Sequence, residues 1–217
     1  RIRAAASHKE LVPRVGRSHF FYATLLIFLQ LIIGATMRHQ HAGLPVWDFP
    51  KAHGQWWPAT DAVSIASYNA NRTALQTSLH ADNRIYDTKG NPAVFLSSGN
   101  PISKQHVSMH MVHRVMAVLI LGMVLGTVIL AHRKLGAAHV LSRLSLGWLG
   151  LILVQATLGA LTVLKYKPAD IATLHVVCGA LALGTGMMGA LISRNKVLPS
   201  LVEISVNKAE LNMGATA

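Results

Sequence analysis

Residues 110–131 read HMVHRVMAVLILGMVLGTVILA, and residues 171–192 read IATLHVVCGALALGTGMMGALI. Each run is long enough, at 1.5 Å of rise per residue, to cross about 30 Å of hydrocarbon as a helix. Each carries a histidine just inside the same end, His113 and His175, and the first run also opens on His110. Ala117 and Gly122 follow His113 at the fourth and ninth positions, and Gly179 and Gly184 follow His175 at the same offsets. Two imidazoles at matching depth on two such helices could hold a flat, metal-centred ring between them, one on each face, with the small residues giving the ring room. The pattern predicts a bis-histidine heme site in a membrane bundle.

Two further apolar runs, Phe20 to Met37 and Leu144 to Leu164, bring the predicted spans to four: Phe20–Met37, His110–Ala131, Leu144–Leu164 and Ile171–Ile192. A chain that is 52% hydrophobic and 13% charged is unusual for a soluble domain, and these runs account for the excess. The mean hydropathy of +0.40 agrees. The later runs are as apolar as the first, so the first is a span and not a cleaved signal peptide.

Lysine and arginine set the orientation. The N-terminal tail holds Arg1, Arg3, Lys9, Arg14 and Arg17; the second connection holds Arg133, Lys134 and Arg143; the C-terminal tail begins Arg194, Asn195, Lys196. All lie on one side of a four-span topology, and by the positive-inside rule that side is cytoplasmic. The net charge of +12 is therefore largely topological and suits anionic lipid. No nucleic-acid partner is expected, because the basic residues are spread over three juxtamembrane pieces without a binding motif.

The predicted fold class is all-α, a membrane-embedded up-down-up-down four-helix bundle with a long external loop between the first and second spans. Residues 1–19 form a cytoplasmic basic tail, 20–193 the transmembrane heme-binding domain with its external loop at 38–105, and 194–217 a second cytoplasmic tail. Alternate helices of such a bundle lie diagonally across its core, which is where His113 and His175 have to face each other. A duplication supports the pairing: Gln30 and Gly34 precede His113 as Gln155 and Gly159 precede His175.

Blander readings stand beside these. A lone intramembrane histidine can simply bond a neighbouring helix, and small residues can simply permit close packing; the matched pair is what favours a site. His110, one turn before His113, and His106 are the nearest rivals. His19, His132 and His139 lie at membrane edges, and His39, His41, His53 and His80 in the external loop meet no known structural-metal spacing. Cys178 is the sole cysteine and reads as a small buried hydrophobe. Gly122 and Gly126 read as a packing pair. Trp47, Trp56 and Trp57 admit two readings, an interfacial belt or a lid over a cofactor. Thr60 or Asp61 is expected to cap a short surface helix through Ala74, followed by an irregular stretch from Asp82 to Asn100.

The run from Gln30 to Pro50, QLIIGATMRHQHAGLPVWDFP, with His113-Arg114, Gln155-x-x-x-Gly159 and Ile171-Ala-Thr-Leu-His175, resembles the heme A synthase family of cytochrome oxidase assembly proteins. The likeness runs from about Tyr22 to Ile192. It implies oxidation of the C8 methyl group of heme O to a formyl group, in an integral protein of the bacterial plasma membrane with both termini cytoplasmic. Family members have two similar four-helix halves, one for substrate heme and one for a b-type heme that relays electrons. This chain resembles one half, the C-terminal one, which makes it a fragment or a half-size protein.

On that resemblance His113 and His175 are axial ligands of heme b, and Arg38 and Arg114 pair with its propionates, since a guanidinium matches a carboxylate bidentately. The implied partners are membrane lipid, heme, a matching N-terminal half or a second copy, and heme O synthase. The substrate half carries a glutamate three positions before its first histidine, and here that residue is His110. Many members also have cysteine pairs in the external loops, which this loop lacks. Both departures favour the cofactor half and put catalysis by this chain alone in doubt. A non-catalytic b-type cytochrome subunit is the alternative.

Overall fold

The computed structural model describes residues 14–40, 44–81 and 100–194, and all its regular elements there are helices. These are α1 (Arg14–His39), α2 (Ala62–Ala81), α3 (Lys104–Leu135), α4 (Val140–Leu164) and α5 (Ala169–Arg194). Four of the helices, α1 from Ser18, α3, α4 and α5, are long and apolar enough to cross a membrane. Residues 1–13 and 195–217 of the tails and residues 82–99 of the stretch expected to be irregular lie outside the described residues, as do 41–43, while residues 14–19, expected as tail, already belong to α1.

The spans pack as a ring in which α1 touches α3 and α5, and α4 touches α3 and α5. α3 and α5 are therefore diagonal neighbours. Residues 136–139 and 165–168 are the only chain between α3 and α4 and between α4 and α5, so each pair folds back on itself. Outward positions carry Phe28, Ile32, Val118, Leu119, Leu153, Leu181 and Met188, all well exposed, as lipid contact requires.

Close packing concentrates at one end. Phe20 stacks on Trp148 with ring centroids 5.6 Å apart, and the Trp148 indole N–H donates to the Ala182 carbonyl at 2.9 Å. Small residues on α5 make this possible: a Cβ at Gly186 would stand 2.5 Å from Thr24 Oγ1 and 2.6 Å from the Trp148 ring, and one at Gly189 would collide with Phe20. The expected role for Gly122 and Gly126 differs from what is found. A Cβ at either would meet nothing within 4 Å, so neither packs another helix of this chain.

Between the first two spans an ordered layer caps the opposite end. Asp61 takes the N-cap of α2, its Oδ1 accepting from the Val63 and Ser64 N–H groups. The helix then runs to Ala81, a longer element than expected. Asn69 ties α2 to the entry of α3 by accepting from the Ile102 N–H at 2.8 Å and donating to the Ile102 carbonyl at 3.0 Å. His106 completes a capping box with Ser103, an imidazole standing where glutamate is more usual. In the preceding loop the Asp48 carboxylate accepts from the N–H groups of His53 and Gly54, which both have positive φ. His53 stacks on Tyr68 at 3.6 Å, meets Trp47 edge-on, and bonds the Pro45 carbonyl through Nε2.

Burial holds the His53 imidazole below its ordinary pKa of 6.5, with Asp48 opposing. The unfolded loop therefore binds a proton more readily than the folded one, so the anchoring is intact above pH 6.5 and weakens as the pH falls below it. The near-ultraviolet circular dichroism of the Trp47–His53–Tyr68 stack should decline on acidification below 6.5 in the wild type and stay flat in His53→Phe. An equal decline in both would assign the change to another group.

Candidate heme site

The packed core reaches Ile27 on α1, Ile120 on α3, Ile152 on α4 and Ala182 on α5. One turn or two beyond that level, the residues that meet across the helices change character. They are Gln30, Gly34, His113, Gln155, Gly159 and His175. The bundle is thus packed tightly at one end, with Thr24, Thr127, Ser142 and Ser145 buried among its aromatic and aliphatic residues, and carries glutamines, histidines and glycines at the other.

The duplicated motif becomes a duplicated contact. A Cβ on Gly34 would lie 3.4 Å from Cε1 of His113, and a Cβ on Gly159 would lie 3.1 Å from Cε1 of His175. Each glycine faces the flank of the histidine on the following span; a Cβ at Gly159 would crowd the His175 ring, while one at Gly34 would just reach van der Waals contact with His113. The glutamines are used differently in the two halves. Gln30 Nε2 donates to the His113 carbonyl at 3.0 Å. The Gln155 carbonyl lies 3.1 Å from His175 Nδ1, and the Gln155 amide nitrogen lies 3.4 Å from His175 Nε2.

These contacts fix a tautomer for His175. With its Nδ1–H on a backbone carbonyl, the lone pair is left on Nε2, the arrangement that prepares an imidazole as a metal ligand. His113 Nδ1, Gln30 Oε1 and Gln155 Oε1 are buried without a hydrogen-bond partner. A buried polar atom left unpaired is costly, so these point to an occupant that the protein alone does not supply.

Other expected residues are placed as follows. His110 is 5% exposed with its Nδ1 unpartnered, so it is buried beside the site and not solvated. Arg38 is exposed in the last turn of α1. Arg114 donates to three backbone carbonyls, Asp48 at 2.7 Å, Lys51 at 2.9 Å and Pro50 at 3.3 Å, and lies over the Phe49 ring at 5.6 Å. Its contacts are to the loop between α1 and α2, an arrangement invisible in the sequence because the partners lie more than sixty positions away. Trp47 packs inward with Leu44, while Trp56 and Trp57 are 72% and 64% exposed.

The small residues do not all make room for a ring. Gly122 and Gly184 are exposed, and a Cβ added at either would meet nothing within 4 Å. Nine residues is two and a half helical turns, which puts them on the face away from the histidines. Gly179 is buried, and a Cβ there would meet Leu31 at 2.9 Å and Gln155 Nε2 at 3.1 Å. It makes room for the glutamine that contacts His175.

Among the described residues no group of three or more His, Cys, Asp and Glu could hold a bare metal ion. A porphyrin supplies its own equatorial nitrogens and asks the protein only for axial ligands, so the histidine pair and the glycines set against it fit a heme. Comparison with known proteins agrees with this chemistry. Residues 2–187 match the family model COX15-CtaA, described as cytochrome oxidase assembly protein. No curated protein and no solved structure matches the chain significantly. With the family model covering both histidines and nearly all of the four spans, the chain belongs to the heme A synthase family of cytochrome oxidase assembly proteins.

Proposed function

We propose that this chain is the electron-relaying half of a heme A synthase, holding heme b between His113 and His175. The observation that carries the reading is the paired Gly–His contact, Gly34 against His113 and Gly159 against His175, on diagonal helices. A heme bound there supplies one-electron oxidation and reduction. The residues of this chain orient and enclose it. Gln155 sets the His175 tautomer through its carbonyl, and Gln30 braces the α3 backbone at His113. His113 and His175 would hold the heme through its iron, and two imidazole ligands would suit electron transfer over oxygen chemistry there.

The spans also lack a carboxylate for acid–base work. The chain has eight Asp and Glu residues in all, and none lies within the four predicted spans. The position where the substrate half carries glutamate is His110, which cannot act as a carboxylate. Arg114, through its three carbonyl contacts, fixes the loop at Asp48 to Lys51 over the α3 end of the site. That loop limits entry of water, and low polarity around a ligated iron is a lever on its potential.

The substrate is heme O, and the half that oxidises it is a matching N-terminal half, receiving heme O from its synthase. Expressed alone in membranes lacking endogenous synthase, the chain should bind heme b and form no heme A from heme O. Co-expression with a matching N-terminal half should restore heme A, read by pigment extraction and chromatography. Heme A made by this chain alone would establish a self-sufficient synthase. A bound heme that no N-terminal half can couple to oxidation would favour the b-type cytochrome subunit.

The basic segments favour cytoplasmic tails, which makes the loop and the heme end of the bundle external. Thr60 is exposed beside the α2 cap. A cysteine at that position should react with an impermeant thiol reagent in intact cells. Labelling only after lysis would reverse the topology.

A further inference from the structure

The hairpin turn between α4 and α5 presents a lysine that the bundle itself does not use. Tyr166 and Lys167 both adopt left-handed backbone, with φ of 57° and 62°. The turn is closed by the Tyr166 N–H on the Val163 carbonyl at 3.2 Å and the Lys167 N–H on the Thr162 carbonyl at 2.7 Å. Successive non-glycine residues in this region are unfavourable, and such strain is found where the surroundings enforce it or function requires it. Tyr166 packs onto the cluster of Leu44, Leu79 and Val163, which anchors the turn under the external layer. Lys167 is left half-buried at the apex of the hairpin.

The apex lies at the heme end. Lys167 is eight positions after Gly159 and eight before His175, and those two residues touch each other across the hairpin. Arg38 lies one turn beyond Gly34, on the side that Gly34 turns toward His113. Burial, and then the nearby Arg38 charge, both push the Lys167 ammonium below its ordinary pKa. Among the described residues neither cationic side chain has a hydrogen bond or a carboxylate partner. Two cations brought near each other at this end of the bundle, one of them partly desolvated, call for an anion.

We propose that Lys167 and Arg38 form a carboxylate-binding pair at this end of the bundle, holding the propionates of the porphyrin, and that Arg114 is a positioning residue for the loop and not a propionate ligand. This rests on the heme reading above. A heme carries its carboxylates on one edge, and cations contributed by the end of α1 and the α4–α5 hairpin would receive that edge while the ring lies between α3 and α5. The three carbonyls on Arg114 account for its guanidinium without any anion.

The test compares protoheme with its dimethyl ester, which keeps the ring and iron and removes both charges. Binding to the purified full chain is followed by the low-spin absorbance spectrum, and the midpoint potential is measured in parallel. The wild type should bind the ester on the order of tenfold more weakly, the worth of one charge-assisted contact. Lys167→Gln should weaken protoheme binding by a similar factor, leave ester binding unchanged, and lower the midpoint potential, because losing a cation favours the ferric state. Lys167→Arg should restore all of these, and Arg114→Gln should keep the discrimination between the two porphyrins. Equal wild-type affinity for both, or equal weakening of both by Lys167→Gln, would overturn the proposal. No low-spin spectrum with either porphyrin would sink the underlying heme reading, and this inference with it.

Discussion

Unpaired polar atoms inside a membrane bundle are the constraint on which the rest of this structure depends. His113 Nδ1, Gln30 Oε1 and Gln155 Oε1 are buried with no partner. In a soluble domain water would relieve them; between spanning helices each costs free energy until something polar or metallic fills the space. The bundle tolerates this because its other end is packed hard, with Phe20 stacked on Trp148 and Gly186 and Gly189 admitting them closely. Stability and site are divided along the bundle axis, and the boundary runs through Ile27, Ile120, Ile152 and Ala182.

That division explains the geometry of each half. Gly34 and Gly159 are the same device used twice, each leaving the flank of a histidine free. The two histidines then differ in support, since His175 is oriented by the Gln155 carbonyl while the Gln30 amide reaches only the His113 backbone. An occupant ligated from both sides would complete His113, whose ring has less to hold it. The layer between α1 and α3 covers this end: Asp48 shapes the loop, Arg114 fastens it, and α2 is tied through Asn69 to the start of α3.

Much of this was legible in the sequence because it follows helical periodicity. Long apolar runs marked the four spans, and the repeated Gln-x-x-x-Gly and histidine order marked the facing positions, since residues four apart share a face. Gly122 and Gly184 misled for the same reason: matching offsets looked like a motif, yet nine residues carry a side chain half a turn round. Arg114 was legible as an arginine at the site's edge but not as a loop clamp, because its carbonyl partners are set by tertiary packing. Lys167 gave no signal at all, its place being fixed by a left-handed turn between non-glycine residues. The Asp61 cap was readable from the cap residue, while the length of α2 was not, since its continuation to Ala81 has no breaker to mark it.

The central claim is that His113 and His175 bind one heme iron from opposite faces. Optical spectra of the purified, reduced chain, compared with His113→Ala, His175→Ala and His110→Ala, test it most directly. The account predicts a low-spin b-type spectrum in the wild type, its loss or strong alteration in each of the first two variants, and little change in His110→Ala. An unaltered low-spin spectrum in both His113→Ala and His175→Ala would contradict it.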